Sequence, residues 1–175
     1  MGKLVKYIKD EEFSKLIRAE KKREFRLAYL LAYGCGLRLS EIVGYKGKTH
    51  EIKALVPDQV DIKSKIIKVI SGKGQKDRIV PLFPNFKEDY LKMLPLKIKR
   101  ITLQVHFKTL CKKILNKDMN FHQLRHGFAV ASIKRGVKLP FLQMALGHSR
   151  LDTTGIYTQA DPQDMLEDYR KSWEV

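Results

Sequence analysis

Cysteine is scarce in this sequence, which holds Cys35 and Cys111 and no others. Two thiols cannot build a disulfide framework, and no Cys-x-x-Cys spacing occurs, so a reducing cytoplasm is the expected compartment. Long apolar runs are missing too. The longest apolar-leaning stretch, Leu27–Leu37, has 11 residues, two of them glycine, where a bilayer span takes about 20. No charged-then-apolar leader opens the chain. Repeats, low-complexity tracts and Pro/Gly/Ser-rich linkers are absent, so the 175 residues read as a single domain. Acidic residues are few: 19 Asp and Glu stand against 35 Lys and Arg, a net charge of +16. An apolar content of 43% excludes a disordered chain, which would pair high charge with few apolar residues. What remains is a basic, core-forming domain suited to a polyanion, most simply nucleic acid. Charge alone does not separate binding from chemistry.

The charge is unevenly spread. Residues 1–151 hold 33 bases and 13 acids, net +20, whereas residues 152–175 hold two bases and six acids, net −4. An acidic end on a basic body is a tail that folds back, a tail that docks on another copy, or a solvated helix.

Patterning predicts a mainly α protein with a small three-stranded antiparallel sheet, an α+β fold. Asp10 with Glu11 and Glu12 marks a helix start, and Phe13, Leu16 and Ile17 then share a face. A second helix runs over about 22–33 and stops at Gly34, and a short one over 39–43 follows the Gly34-Cys35-Gly36 turn. Residues 44–53 read as a polar, Lys-rich loop. Period-two patterning then gives three strands: Val60 and Ile62, Ile66–Ile70, and Ile79–Leu82. A Gly-bearing hairpin turn, Ser71–Lys76, joins the last two. Helices over about 85–94, 102–116, 121–135, 139–146 and 161–172 complete the chain.

Several clusters could carry chemistry. His122, Arg125 and His126 are spaced i, i+3, i+4 at the start of a helix whose other side bears Phe121, Leu124, Phe128 and Ile133. A helix N-terminus favours anions, and the added donors suit a phosphate. A solvated polar face with one core histidine is the alternative. His148 follows the helix-ending Gly147, and Tyr157 follows nine residues later; alone, Tyr157 reads as structural. Arg38 stands at a helix junction with Glu41 three residues on, a spacing that also suits a plain helix cap. Lys73 lies between Gly72 and Gly74 but lacks P-loop spacing. His-x-x-Arg-His is not a zinc motif, and no paired carboxylates stand near the histidines to hold magnesium. No Gly-x-Ser-x-Gly elbow occurs.

In order along the chain stand Gly36-Leu37-Arg38-x-Ser40-Glu41, then Gly72-Lys73-Gly74-x-Lys76-x-Arg78-x-Val80-Pro81-Leu82, then His122-x-Leu124-Arg125-His126. Leu146-Gly147-His148-Ser149 and Thr153-Thr154-x-Ile156-Tyr157-Thr158 follow. Together these resemble the catalytic domain of the tyrosine recombinases, the phage integrase family. The resemblance spans residues 36–158 and implies that fold. It also implies that Tyr157 attacks a DNA phosphate, leaving a 3′-phosphotyrosyl link and a free 5′-hydroxyl. Arg38 and Arg125 would clamp the non-bridging oxygens, His122 and His148 would donate hydrogen bonds to them, and Lys73 would protonate the leaving 5′-oxygen. Glu41 would support the Arg38 region. Lys76, Arg78 and Arg150 are expected to contact DNA. Lys46 and Lys48 belong to the polar loop, which looks like an insertion relative to the family and reads as a solvated loop or, as the alternative, one that contacts phosphates. Neither metal nor other cofactor is implied. The implied partner is double-stranded DNA, with self-association into a tetramer on it in a host's nucleoid.

The family carries a separate N-terminal DNA-clamping domain that is not seen in this sequence, so a piece of a longer integrase, or a minimal enzyme, is expected. Integration or excision of a mobile element or viral genome is the expected outcome. A DNA-binding module with an inactive site is one alternative, and a type IB topoisomerase is another. The acidic end, 159–175, is expected to form a tail helix that meets a basic surface on another copy, or on its own body without DNA.

Overall fold

The computed structural model describes residues 6–70, 77–147, 169–171 and 173. The chain opens with α1 (Asp10–Ala19), whose first turn carries Asp10, Glu11 and Glu12 against the helix dipole. The Glu12 carboxylate accepts the Lys9 N–H at 3.0 Å and so closes the N-terminus. Leu16 is buried from this helix, and Phe13 stacks on Tyr33 with ring centroids 3.9 Å apart. The central element is α2 (Arg23–Cys35), almost entirely apolar and buried from Phe25 onward. It ends at Gly36 in the left-handed region, φ +68°, where a Cβ would sit 2.6 Å from the Phe128 ring. A short helix, α3 (Leu39–Val43), follows directly, capped by its own Glu41.

The segment expected as a plain loop is a small hairpin. Strands β1 (Tyr45–Lys46) and β2 (Glu51–Ile52) pair antiparallel with Tyr45 opposite Ile52, and the Gly47 N–H donates to the His50 carbonyl at 2.9 Å. Two-residue strands are too short to show alternation, which is why patterning passes over them. The expected three-stranded sheet is present as β3 (Val60–Asp61), β4 (Ile66–Val69) and β5 (Arg78–Pro81), all antiparallel in sequence order. Val60 faces Ile67, and Ile67 faces Val80, so one buried row of β-branched side chains crosses the sheet.

The helix expected over 85–94 shrinks to α4 (Glu88–Leu91). Pro84 precedes it, and Leu94 stands before Pro95, a position biased away from helical backbone. Then come α5 (Arg100–Leu115), α6 (His122–Lys134) and α7 (Leu139–Leu146), each within two residues of its expected bounds. Phe107 of α5 meets Tyr29 edge-on at 5.1 Å and Phe121 at 5.6 Å, which ties α5 and the start of α6 to the central helix.

One apolar assignment is corrected. Ile133 is 54% exposed, whereas Leu124, Phe128 and Ala131 are buried. Nine residues at 100° each put Ile133 opposite Leu124, and Ala131 takes the core position instead. Among the described residues, no helix is long and apolar enough to cross a membrane.

Candidate active site

The left-handed turn at Gly36 sends the chain from α2 into α3 and sets Arg38 as the residue before that helix. Arg38 donates its backbone N–H to Glu41 Oε2 at 2.7 Å and its Nη1 to Glu41 Oε1 at 3.0 Å. Its Nη2 reaches the Leu146 carbonyl, 108 residues away, at 3.4 Å. The side chain stays 27% exposed, so one side of this guanidinium is open to an incoming group.

Arg125 reaches the same oxygen from α6. Its Nη1 donates to the Gly36 carbonyl at 2.5 Å, and its Nη2 donates to the Leu146 carbonyl. The residue is 4% exposed. Two guanidiniums from distant parts of the chain therefore meet at one backbone carbonyl, at the end of α7. A buried cation held by neutral carbonyls is costly unless an anion completes its environment. Burial pushes the Arg125 pKa down to about 9, with the neighbouring Arg38 and Arg78 adding to the fall. Guanidinium stays protonated at neutral pH, so the strain falls on the charge itself and favours an anion beside it.

Glu41 is 7% exposed and carries most of the local compensation. Burial alone would raise its pKa, but hydrogen bonds and charge from Arg78, then from Arg38, hold it below the ordinary carboxylate value. Arg78 is the finding that patterning missed. The sequence suggested a DNA contact, yet the guanidinium turns inward, donating Nη1 to Glu41 Oε1 at 2.9 Å and Nη2 to Oε2 at 3.0 Å. Its Nε donates to the Ala145 carbonyl at 2.7 Å. A signal for this was available: period two sets Arg78 on the face of the buried Val80. Arg38 and Arg78 thus share the Glu41 carboxylate while Arg125 donates to neutral carbonyls, and the surplus among the described residues is positive.

His122 opens α6, its N–H held by the Asn120 side-chain oxygen at 3.0 Å. It is exposed, and its ring lies edge-on to His126, with centroids 4.5 Å apart. The three residues spaced i, i+3, i+4 do not share one fate. Arg125 turns into the core, His122 faces outward, and His126 is half-buried with a pKa lowered by burial and then by Arg125. Lys46 and Lys48 are exposed on the β1–β2 hairpin, whose Tyr45 ring lies under the Arg100 guanidinium at 5.1 Å. Lys73, Lys76, His148, Arg150 and Tyr157 lie outside the described residues.

Comparison with known proteins agrees with this architecture. A family model described as "Phage integrase family" matches residues 95–164. The chain is 30% identical over 187 residues to "Tyrosine recombinase XerA" of Pyrococcus horikoshii, covering 97% of this chain and 62% of that protein. It is 33% identical over 192 residues to "Tyrosine recombinase XerA" of Thermococcus kodakarensis, covering 97% and 63% respectively. The chain therefore spans about three-fifths of these relatives. Among solved structures, the integrase from mycobacterium phage Brujita superposes with a TM-score of 0.70 at 19% identity, over 98% of this chain and 59% of that one. A XerA recombinase gives 0.65 at 28% identity, over 98% and 66%. XerH bound to its difH substrate in a pre-cleavage complex gives 0.56 at 23%, over 95% and 54%. Five motifs in order, a shared fold and these sequence relatives lead to one conclusion: the chain belongs to the phage integrase family of tyrosine recombinases.

Proposed function

We propose that the protein is a site-specific DNA recombinase that cuts and rejoins strands through Tyr157. The observation that carries this reading is the meeting of Arg38 and Arg125 at the Leu146 carbonyl, with more guanidiniums than carboxylates around it. Such a cluster of cations suits an anion that is bound and released, and a DNA phosphate supplies one. XerH, a site-specific recombinase that shares the fold, is solved bound to its difH substrate, and this supports a partner of the same kind.

In the proposed reaction the Tyr157 oxygen attacks phosphorus, forming a 3′-phosphotyrosyl bond as the bond to the 5′-oxygen breaks. His122 and His148 donate hydrogen bonds to the phosphate, and one of them helps take the phenol proton. Lys73 returns a proton to the leaving 5′-oxygen. An ordinary tyrosine has a pKa near 10 and is a poor nucleophile at neutral pH. Two guanidiniums beside it favour the phenolate and stabilise the charge that builds on a five-coordinate phosphorus. The covalent link conserves the phosphodiester energy, so rejoining consumes no ATP. Glu41 supports Arg38, while Lys46 and Lys48 on their exposed hairpin, and Lys76 and Arg150, contact the duplex. Recombination between two sites calls for a tetramer on DNA, and integration or excision of a mobile element is the outcome we assign.

The test is a nicked duplex carrying a candidate attachment site, incubated with protein and run under denaturing conditions. A Tyr157-dependent protein–DNA adduct is expected. No adduct at any site, or one that persists in Tyr157→Phe, overturns the reading. Relaxation of supercoiled DNA regardless of sequence would mark a topoisomerase instead.

A further inference from the structure

We infer that Arg78 is a positioning residue for strand cleavage, holding Arg38 through Glu41 and fixing the end of α7 where the two phosphate-clamping arginines meet. Its chemistry rests on the recombinase reading above; its geometry does not. The Arg78 side chain is 8% exposed, and each of its three guanidinium nitrogens donates within the protein. Two of them form a parallel fork on the Glu41 carboxylate, a geometry that lysine cannot reproduce. The same carboxylate receives the Arg38 backbone N–H and Arg38 Nη1. Arg38 is therefore placed by a carboxylate that Arg78 holds from the far side. Without that hold, Glu41 is left to Arg38 alone and draws its guanidinium away from the Leu146 carbonyl.

The third nitrogen acts on α7. Nε donates to the Ala145 carbonyl at 2.7 Å, and the side chain lies against Gly147, where a Cβ would stand 3.1 Å from Arg78 Cδ and 3.2 Å from Nε. Gly147 adopts φ +61° and closes the helix. Ala145 and Gly147 flank Leu146, whose carbonyl accepts from both Arg38 and Arg125. His148 is the next residue in sequence, and Arg78 itself begins β5 two residues after the turn that bears Lys73. One buried side chain thus joins the three sequence blocks that carry Arg38, His148 and Lys73.

The test combines kinetics with a spectroscopic readout. Single-turnover cleavage of a nicked duplex is measured for the wild type, Arg78→Gln, Arg78→Lys, Arg38→Ala and the Arg38→Ala/Arg78→Gln double variant. At saturating DNA, loss of the Arg78 fork lowers the rate about 100-fold, the scale of removing one charge-stabilising donor. DNA affinity changes by less than about twofold, and in the Arg38→Ala background the same change costs about tenfold at most, the part carried through α7 rather than through Arg38. Multiplying losses in the double variant, or a loss of affinity alone, overturns the inference. Arg78→Lys keeps the cation while losing the fork, so it serves if the glutamine variant misfolds. Independently of activity, the Arg38 Nε–H resonance is expected to shift in Arg78→Lys while backbone amides remote from the site stay in place. An unmoved Arg38 signal overturns the inference. A wild type that forms no adduct refutes the recombinase reading instead, and the Arg38 resonance then decides the role of Arg78 alone.

Discussion

Glu41 sets the charge balance of the site, because burial penalises its ionised form while two guanidiniums reward it. The reward wins, so its pKa in the folded protein lies below the ordinary 4.5. The linkage sign follows: this carboxylate contributes stability that is complete above pH 4.5 and is lost as the pH falls through the folded value. His126 adds an earlier step of the same sign. Its pKa is lowered from 6.5, by burial and then Arg125, so the neutral ring is favoured and stability declines as acid forces a charge below that pH. Urea unfolding between pH 7 and 3 is expected to show both steps, with the lower one smaller in Glu41→Gln but not abolished, because Asp10, Glu12 and Asp61 are also held below their ordinary values. A flat profile below pH 4.5 in the wild type would count against the assignment. At neutral pH, Glu41→Gln costs about 3–5 kcal/mol, the usual result of breaking a buried ion pair from one side. Much at this scale is legible in the sequence, since the three-residue spacing brings Arg38 and Glu41 together. What escapes is the meeting point, because a backbone carbonyl such as Leu146 has no sequence signature and lies far along the chain from Arg38.

Among the elements, the α2–α3 junction most directly fixes the site. Gly36 must adopt a left-handed backbone, leave room for Phe128 and present its carbonyl to Arg125. Gly136 is also left-handed, φ +87°, but a Cβ there meets nothing within 4 Å. Alanine at 136 should cost only the backbone term, about 1–2 kcal/mol. At 36 the clash adds to that cost, so Gly36→Ala is expected to lower the urea midpoint further and to weaken phosphate binding. Equal midpoints for the two variants would contradict the packing described here. Helices were readable from their apolar spacing because each buries one broad face on the core. The β1–β2 hairpin was not, since its two-residue strands are too short to alternate, and the Arg100 guanidinium over Tyr45, worth about 0.5–1 kcal/mol, comes from more than 50 residues away.

For the whole molecule, the acidic end of the chain matters most. Its described residues, Tyr169–Lys171 and Trp173, lie on the protein's own body, and Arg170 Nη2 donates to the Ser64 carbonyl at 2.6 Å. Tyr169 donates to the Gly34 carbonyl at 2.5 Å. Trp173 stacks on Tyr169 and on Phe128, with centroids 5.2 and 5.8 Å away, and the Arg135 guanidinium lies 4.1 Å over its ring. The acids behind the expected basic partner, Asp161, Asp164, Glu167, Asp168 and Glu174, lie outside the described residues; the described ones meet a Phe128–Tyr33 aromatic wall beside Arg135. Aromatic packing leaves no trace in a net charge, so the composition could not show the Tyr169 and Trp173 contacts. Trp173→Ala is expected to loosen the tail, read as faster amide exchange at Tyr169, and deletion of 161–175 should change assembly on DNA, read by sedimentation. Unchanged exchange and assembly would remove any role for this end.

The basic body makes its own prediction: the logarithm of the DNA association constant should fall with the logarithm of salt at a slope of about −0.9 per phosphate neutralised. The sharpest single measurement is the single-turnover rate of covalent adduct formation on a nicked duplex, compared between the wild type and Arg125→Lys. Lysine keeps the charge and loses the fork. The account predicts a rapid Tyr157-dependent adduct in the wild type and a rate about 10²–10³-fold lower in the variant, with DNA still bound. Equal rates in the two proteins, or no adduct in either, would contradict it.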